Sequence, residues 1–327
     1  MIVAGDIGGT HARLGAFEVG TGAPVLIHER VYPSPRFSGL EAVLRAFLEE
    51  FHAAPTGAAF GLAGPVHDGR VRTPNLPWEV DGRVLQSVLG ISHVELINDL
   101  EALARGIPLL GPADFVVLNP GREAAGNRAV VAAGTGLGVA GLVWDGERHR
   151  PMATEGGHAD FAPRNPLECE LLLHLSKRFG RVSNERILSG AGLANVYDFL
   201  RDTGRGEEPD WLSRRLAAED RAKVISVCGL EGSSALCSQA VDLFASLYGS
   251  VAGDVALYFL ATGGLFLGGG IAPKMLPRLQ DPRLFRAAFI DKGRLRPVLE
   301  QVPVRVILDD RVGMRGAAQV AAQGAAT

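Results

Sequence analysis

The chain has 327 residues, enough for two α/β domains, and 47% are hydrophobic, so large cores can form. Its 33 Lys+Arg against 36 Asp+Glu leave a net charge of −3 with no block of like charges, which gives no electrostatic basis for a nucleic-acid or membrane partner. The three cysteines, Cys169, Cys228 and Cys237, lack any CxxC spacing; they exclude a disulfide framework, leave no zinc site legible, and suit a reducing cytoplasm.

Short apolar runs separated by Gly or Pro predict three opening strands, "MIVAGDI", "ARLGAFEV" and "PVLIHERVY". A helix follows over residues 38–51, with Leu40, Val43, Leu44, Phe47, Leu48 and Phe51 on one face and Ser38 as its N-cap. "AAFGLAGPV" reads as one strand, "DGRVLQSVLG" as a short helix, "VELIND" as a strand and "LEALARGI" as the helix that continues it. After "LLGPADF" the pattern restarts, with strands in "FVVLNPG", "NRAVVAAGTGLGVAGLVWDG" and "PMATEGGHADFAP". Helices then cover "PLECELLLHLSKRFG", "SGAGLANVYDFLRDTG" and a long stretch from Ser234 to Ala261. Strand "GLFLGGGI", a helix near "PKMLPRL", strand "VPVRVIL" and a helix "RVGMRGAAQVAAQ" complete the chain.

The N-terminus has no basic segment, and Asp6 falls where a leader peptide would need apolar residues. Val255–Ala272 is uncharged and about as long as a membrane span, yet Gly263, Gly264 and Gly268–Gly270 interrupt it. A helix ending at the first glycine pair, then a buried strand and a glycine turn, fits it better. A soluble protein is expected. "AGDIGGTHARLGAF" and "VAAGTGLGVAGLVW" share one device, strand, Gly/Thr turn, strand, so two α/β halves facing a cleft are expected. The boundaries read as residues 1–110 plus about 312–327 for a small domain and 111–311 for a large one, with Gly111-Pro112 as hinge.

Three glycine turns carry the chemistry. Glycines at a hairpin tip let backbone N–H groups face an anion, and Thr10 adds a hydroxyl. Asp6 would repel a bare phosphate, but fits if Mg²⁺ accompanies it, held through a water. "GTGLG", with Thr135, Gly136 and Gly138, suits a terminal phosphate, and Gly268, Gly269 and Gly270 precede a helix whose N-terminus could support a nucleotide. Each turn has a plain structural alternative: a hairpin, close strand packing, or a tight connection. Neither a P-loop nor a dinucleotide fingerprint occurs.

Asn98 and Asp99 end a strand, where α/β folds face their ligands. Asp99 could take a hydroxyl proton, or it could cap the following helix. Glu155 and His158 flank two glycines, an arrangement suited to a ring of hydroxyls; no third ligand supports a metal reading. Glu185 precedes an apolar helical run, where a capping box with Ser183 fits poorly. Asn75 is a loop amide beside Trp78 that serves either a polyol or the turn. Phosphoryl transfer needs little beyond alignment, Mg²⁺, phosphate-binding amides and one base, and this set meets that need.

In order and spacing, "GDIGGTHARLGAF", "INDLEALARGI", "AAGTGLGVAGLVW", "TEGGHADFAP", "ERILSGAGLANVY" and "GGLFLGGGIAPKML" resemble the bacterial glucokinases of the hexokinase/actin-like ATPase superfamily, over about residues 1–320. The resemblance implies a two-domain actin-like (ribonuclease H-like) fold with an interdomain cleft, in which a small domain closes over the sugar. It implies ATP and Mg²⁺ at Asp6, Gly8, Gly9 and Thr10, with Thr135, Gly136 and Gly138 as the second phosphate loop and Gly268–Gly270 on the adenosine side. Asn98, Glu155, His158 and Glu185 would bind glucose, with the loop amide Asn75 as a further candidate, and Asp99 would be the base toward its 6-hydroxyl. A cytoplasmic homodimer is the implied assembly. His11 stands where related sequences often have Asn. The cysteine-rich zinc motif of the related ROK family is absent, as is a helix-turn-helix before the first strand. Other readings are a kinase for mannose, fructose or an N-acetylhexosamine, a silent sugar sensor, and an actin-like ATPase with a protein partner. ADP or polyphosphate would use similar turns.

Overall fold

The computed structural model describes residues 1–51, 54–73 and 76–325. In chain order the elements begin β1 (Ile2–Ile7), β2 (His11–Glu18), β3 (Val25–Pro33), α1 (Leu40–Glu50), β4 (Ala58–Leu62), β5 (Val66–His67), β6 (Arg70–Arg72), β7 (Glu79–Asp81), α2 (Gly82–Leu89), β8 (Val94–Asn98) and α3 (Asp99–Gly106). There follow β9 (Phe115–Asn119), β10 (Arg128–Ala133), β11 (Leu137–Trp144), β12 (His149–Ala153), α4 (Pro166–Phe179), α5 (Gly190–Asp202), α6 (Asp210–Ala218), α7 (Arg221–Glu231) and α8 (Ala235–Tyr258). The last elements are β13 (Leu265–Gly268), α9 (Ile271–Lys274), α10 (Leu276–Leu279), α11 (Ala287–Ile290), α12 (Arg296–Gln301), β14 (Val304–Ile307) and α13 (Val312–Gly324).

The chain forms two compact units. The first comprises Met1–Asp114, Pro151–Ala153 and the C-terminal segment from Asp309; the second comprises Phe115–Arg150 and Thr154–Leu308. In the first unit the sheet order is β3-β2-β1-β4-β8. The β1–β2 and β2–β3 pairs are antiparallel, while β1–β4 and β4–β8 are parallel. Alternation along the strands splits this sheet between two cores. Val3, Ile7, Ala58, Phe60 and Leu62 join Val43, Leu44 and Phe47 of α1 on one face. Ile2, Ala4, Ala59 and Ile97 meet Met314, Ala317, Ala318 and Ala321 of α13 on the other.

The second unit repeats the plan. Its sheet runs β12-β11-β10-β13-β14-β9, with β10–β11 antiparallel and β10–β13 and β13–β14 parallel. One large core unites Val131, Leu265, Leu267, Val304 and Val306 with Val241, Phe244 and Tyr248 of α8. By length and composition α8 could cross a membrane, but 72% of its apolar window is buried. The uncharged stretch from Val255 divides into helix and buried strand as expected, but α8 stops at Tyr258, five residues before Gly263, and Leu260 with φ +45° turns the chain toward β13.

Several local expectations change. Helix α1 begins after Gly39 with no side-chain cap, so Ser38 is not its N-cap. "AAFGLAGPV" breaks into β4 and β5, because Gly64 has φ +113° and turns the chain between them. In "PMATEGGHADFAP" only His149–Ala153 belongs to a strand; a 3-10 turn at Gly156–His158 follows. Helices α6, α7, α11 and α12 had no counterpart in the sequence reading. α6 and α7 are short, with charged residues interrupting their apolar positions.

The seam between α3 and α13 depends on small residues. A Cβ added at Gly316 would lie 1.8 Å from the Ala102 carbonyl oxygen, which is backbone and cannot rotate away. Gly316→Ala should therefore lower unfolding free energy by ~1–3 kcal/mol as the helices are forced apart. Urea denaturation followed by circular dichroism measures this, and an unchanged midpoint would contradict the close approach.

Candidate active site

In the first unit, the C-terminal ends of β1, β4 and β8 lie along one edge, since Ile7 pairs Leu62 and Leu62 pairs Asn98. That is the edge where parallel α/β sheets present ligands. The Gly8–Thr10 turn follows β1 there, and Asp99 follows β8 two strands away. At the usual strand spacing this separation is ~10 Å.

Buried Ser34 holds the first turn from behind. Its hydroxyl donates to the Gly8 carbonyl at 2.8 Å, and its N–H donates to the Thr10 carbonyl at 3.0 Å. A trans peptide points its N–H opposite its C=O, so the Gly9 and His11 N–H groups face away from Ser34. The side chains of Thr10 and His11 are exposed.

Asp6 sits one pair before the end of β1, opposite Arg13 of β2. Arg13 is itself bound by Glu29 and by Asp310, the latter at 2.6 Å. Burial pushes the Asp6 carboxyl up to about 6; Arg13 opposes the shift and Asp310 adds to it. The start of α13 comes close, and a Cβ at Gly313 would lie 2.8 Å from Asp6 Oδ2. Asn98 is the N-cap of α3: its Oδ1 accepts from Leu100 N–H at 2.9 Å, and its Nδ2 donates to the Gly64 carbonyl at 3.2 Å. Asp99 is the first residue of that helix. Both polar residues turn toward the start of α3, since Leu100 N–H also donates to Asp99 Oδ1 at 2.9 Å. Asn75 lies outside the described residues.

In the second unit, Thr135, Gly136 and Gly138 turn from β10 into β11. The Gly134 carbonyl accepts from Gly190 N–H, the first residue of α5, at 2.9 Å. The Thr135 N–H therefore points away from α5. The third glycine stretch lies against this turn: Gly268 pairs Ala132, and Gly269, with φ +78°, packs so that a Cβ would lie 2.3 Å from the Ala133 carbonyl oxygen. Gly270 precedes α9, which is only four residues long.

The segment carrying Glu155 and His158 packs on the start of β11, and Glu185 reaches the same place. Thr154 donates its hydroxyl to the Val139 carbonyl at 2.8 Å and accepts from Gly156 N–H at 3.1 Å. Gly157 packs on the Leu137 carbonyl with no room for a side chain. Asn184 N–H donates to the Ala159 carbonyl at 2.8 Å, which ties "EGGHAD" to the segment carrying Glu185. Arg181 braces the same segment through the His158 carbonyl and through Asp160 at 2.9 Å. Ser183 makes no side-chain cap; instead Glu185 Oε2 accepts from Leu137 N–H at 3.0 Å. Ser189 caps α5, accepting from Gly192 N–H at 3.0 Å.

Sequence reasoning missed Ser34, Arg13, Gly313, Ser189 and Arg181. Each acts on another residue's backbone or charge, and only Ser189, as a Ser before a Gly-rich helix start, had a local signal. No cluster of three or more metal-ligating side chains occurs among the described residues.

A Glucokinase family model matches residues 3–324. The chain is 39% identical to a Glucokinase of Synechocystis sp., with 98% of each chain covered. The crystal structure of a glucokinase from an Antarctic psychrotroph superposes with a TM-score of 0.82 at 32% identity, covering 98% of both chains. A ROK family glucokinase from Streptomyces griseus, in complex with glucose and AMPPNP, reaches a TM-score of 0.67 at 21% identity over 99% of both, a likeness of fold. With the same sheet plan in both units and this match over nearly the whole sequence, the chain belongs to the glucokinase family and has the actin-like ATPase fold.

Proposed function

We propose that this glucose kinase moves the γ-phosphoryl group of ATP to the 6-hydroxyl of glucose, giving glucose 6-phosphate and ADP. The observation that carries the reading is that the segment bearing Glu155 and His158 packs through Gly156 and Gly157 on the start of β11, where the Glu185 carboxylate holds the Leu137 N–H beside the glycine turn. Carboxylate and imidazole beside bare backbone suit a ring of hydroxyls, and the turn beside them suits a phosphate. Asn98, whose Nδ2 retains a second N–H, is the sugar ligand of the first unit. Asp99 takes the O6 proton as that oxygen attacks phosphorus and the bond to the ADP oxygen breaks.

The Gly9 and His11 N–H groups of the first turn and the Thr135 N–H of the second hold the phosphates. Gly268–Gly270 face the adenosine. Asp6 is the residue suited to Mg²⁺. One acidic group beside a phosphate turn fits this ion, which is held by one or two carboxylates, substrate phosphates and its own waters. When bound, Mg²⁺ neutralises charge on the phosphates. The three free thiols suit the reducing cytoplasm, where glucose and ATP meet.

A sugar panel against ATP, ADP and polyphosphate, followed by release of the dephosphorylated donor, tests the assignment; no glucose-stimulated release despite tight glucose binding would favour a sensor. Asp99→Ala should lower kcat by ~10²–10⁴-fold while glucose still binds. Near-normal turnover would remove Asp99 from the role of base. Asp6 adds a pH signature. Its folded-state value, about 6, lies above the ordinary 3.8, so the stability linked to its protonated form is present below about 4 and lost as pH rises through about 6. Asp6→Asn should therefore raise stability at pH 8 by on the order of 2 kcal/mol, with the gain vanishing near pH 4, while turnover is lost. Thermal melts across that range would show an equal gain at both ends if burial of this charge were harmless.

A further inference from the structure

We infer that Glu185, beyond binding sugar, is a positioning residue for the second phosphate turn, so that one side chain joins the two subsites. The inference rests on the sugar-kinase reading above. The peptide between Gly136 and Leu137 is bonded at both ends. Its carbonyl accepts from Gly134 N–H at 2.9 Å, and its N–H donates to Glu185 Oε2 at 3.0 Å. The first bond lies within the turn; the second comes from a different segment, 48 residues along the chain. The carboxylate lies directly over Gly136, where a Cβ would come within 2.6 Å of Oε2.

Glu185 is itself fixed. Its carbonyl accepts from the Ser189 hydroxyl at 2.9 Å, and Asn184 N–H is bound to the Ala159 carbonyl. With Oε2 given to the turn, Oε1 is the oxygen that meets a sugar hydroxyl. The carboxylate thus joins the turn to the approach to α5, and the Asn184–Ala159 backbone bond ties the "EGGH" segment to the same stretch. A planar carboxylate whose one oxygen is held by a backbone N–H has its second oxygen aimed as well. The turn orients the sugar ligand, and the sugar ligand holds the turn.

The test separates acceptor from charge. Nucleotide affinity is measured with AMP-PNP and Mg²⁺, without sugar, on the full chain by calorimetry, and glucose KM by ADP release. Glu185→Gln keeps an acceptor for Leu137 N–H, so its nucleotide Kd should stay close to that of the native chain while glucose KM rises. Glu185→Ala loses both contacts, and its nucleotide Kd should rise roughly 10-fold, as for a hydrogen bond lost from a buried N–H. Gly136→Ala places a methyl where Oε2 lies and displaces a flexible carboxylate, so this change in the phosphate turn should raise glucose KM. Combined with Glu185→Ala it should add little to that rise, because both act through one contact. A nucleotide Kd unchanged by Glu185→Ala, with glucose KM raised, would overturn the positioning role. A raised nucleotide Kd with glucose KM unmoved would uphold it and overturn the sugar-ligand assignment instead.

Discussion

Backbone N–H groups can hold a phosphate only where the carbonyls of the same peptides are turned away and bonded elsewhere. A trans peptide allows nothing else, because its two polar groups point in opposite directions. Both glycine turns of this chain meet that condition by the same means. Ser34, beyond β3, takes the Gly8 and Thr10 carbonyls of the first turn. Gly190, at the start of α5, takes the Gly134 carbonyl of the second. The glycines remove the side chains that would crowd an anion, but it is these outside partners that aim the N–H groups. The rest of each unit keeps the partner in place. Ser34 is held between β3 and α1, and α5 is anchored by its Ser189 cap and by Leu193, Val196 and Phe199 in the core of the second unit.

The same logic accounts for Asp6. A carboxylate beside a phosphate turn is a liability without a cation, and burial raises its proton affinity further. Arg13 offsets part of this from the adjacent strand, and Glu29 and Asp310 hold Arg13. On the proposed reading, the fold bears the cost of charging Asp6 because that carboxylate serves Mg²⁺.

Much of this was legible from residue order alone. Strands bounded by glycine, the helical spacing from Leu40 to Phe51, and the recurrence of a Gly/Thr turn are local signals, and they map onto β1, β2, α1, β10 and β11. The residues named for chemistry lie at strand ends or in turns, where their type is unusual for the position. What escaped was what depends on partners distant in sequence. Ser38 looks like a cap, yet the helix starts two residues later. Asp99 is the cap the sequence suggests, yet Asn98 is the N-cap, and the two side chains share the Leu100 N–H. Helix α7 has weak apolar periodicity, so it forms against α5 and α8 rather than from its own pattern. Ser34 sits in "PSPR", where nothing local distinguishes it from any loop serine.

The two units use one plan but place their acids differently, and the difference bears on specificity. In the first unit the acid belongs to the strand that feeds the turn, so its distance from the turn is set by the backbone. In the second unit the strand carries no acid, and Glu185 reaches the turn from another segment. A group delivered from outside can serve two masters: one oxygen for the turn and one for a ligand. If Glu185 serves sugar and turn as proposed, such sharing makes the geometry of the turn sensitive to what occupies the sugar side. A site that hydrogen-bonds its substrate's hydroxyls rejects molecules lacking them, because its own polar groups are then left unpaired. If one of those groups also supports the phosphate turn, a poor sugar loses twice, once in its own binding and again in the alignment of the phosphoryl group. On the proposed reading, water, too small to engage Glu155, His158 and Glu185 together, is the acceptor that such a site disfavours most.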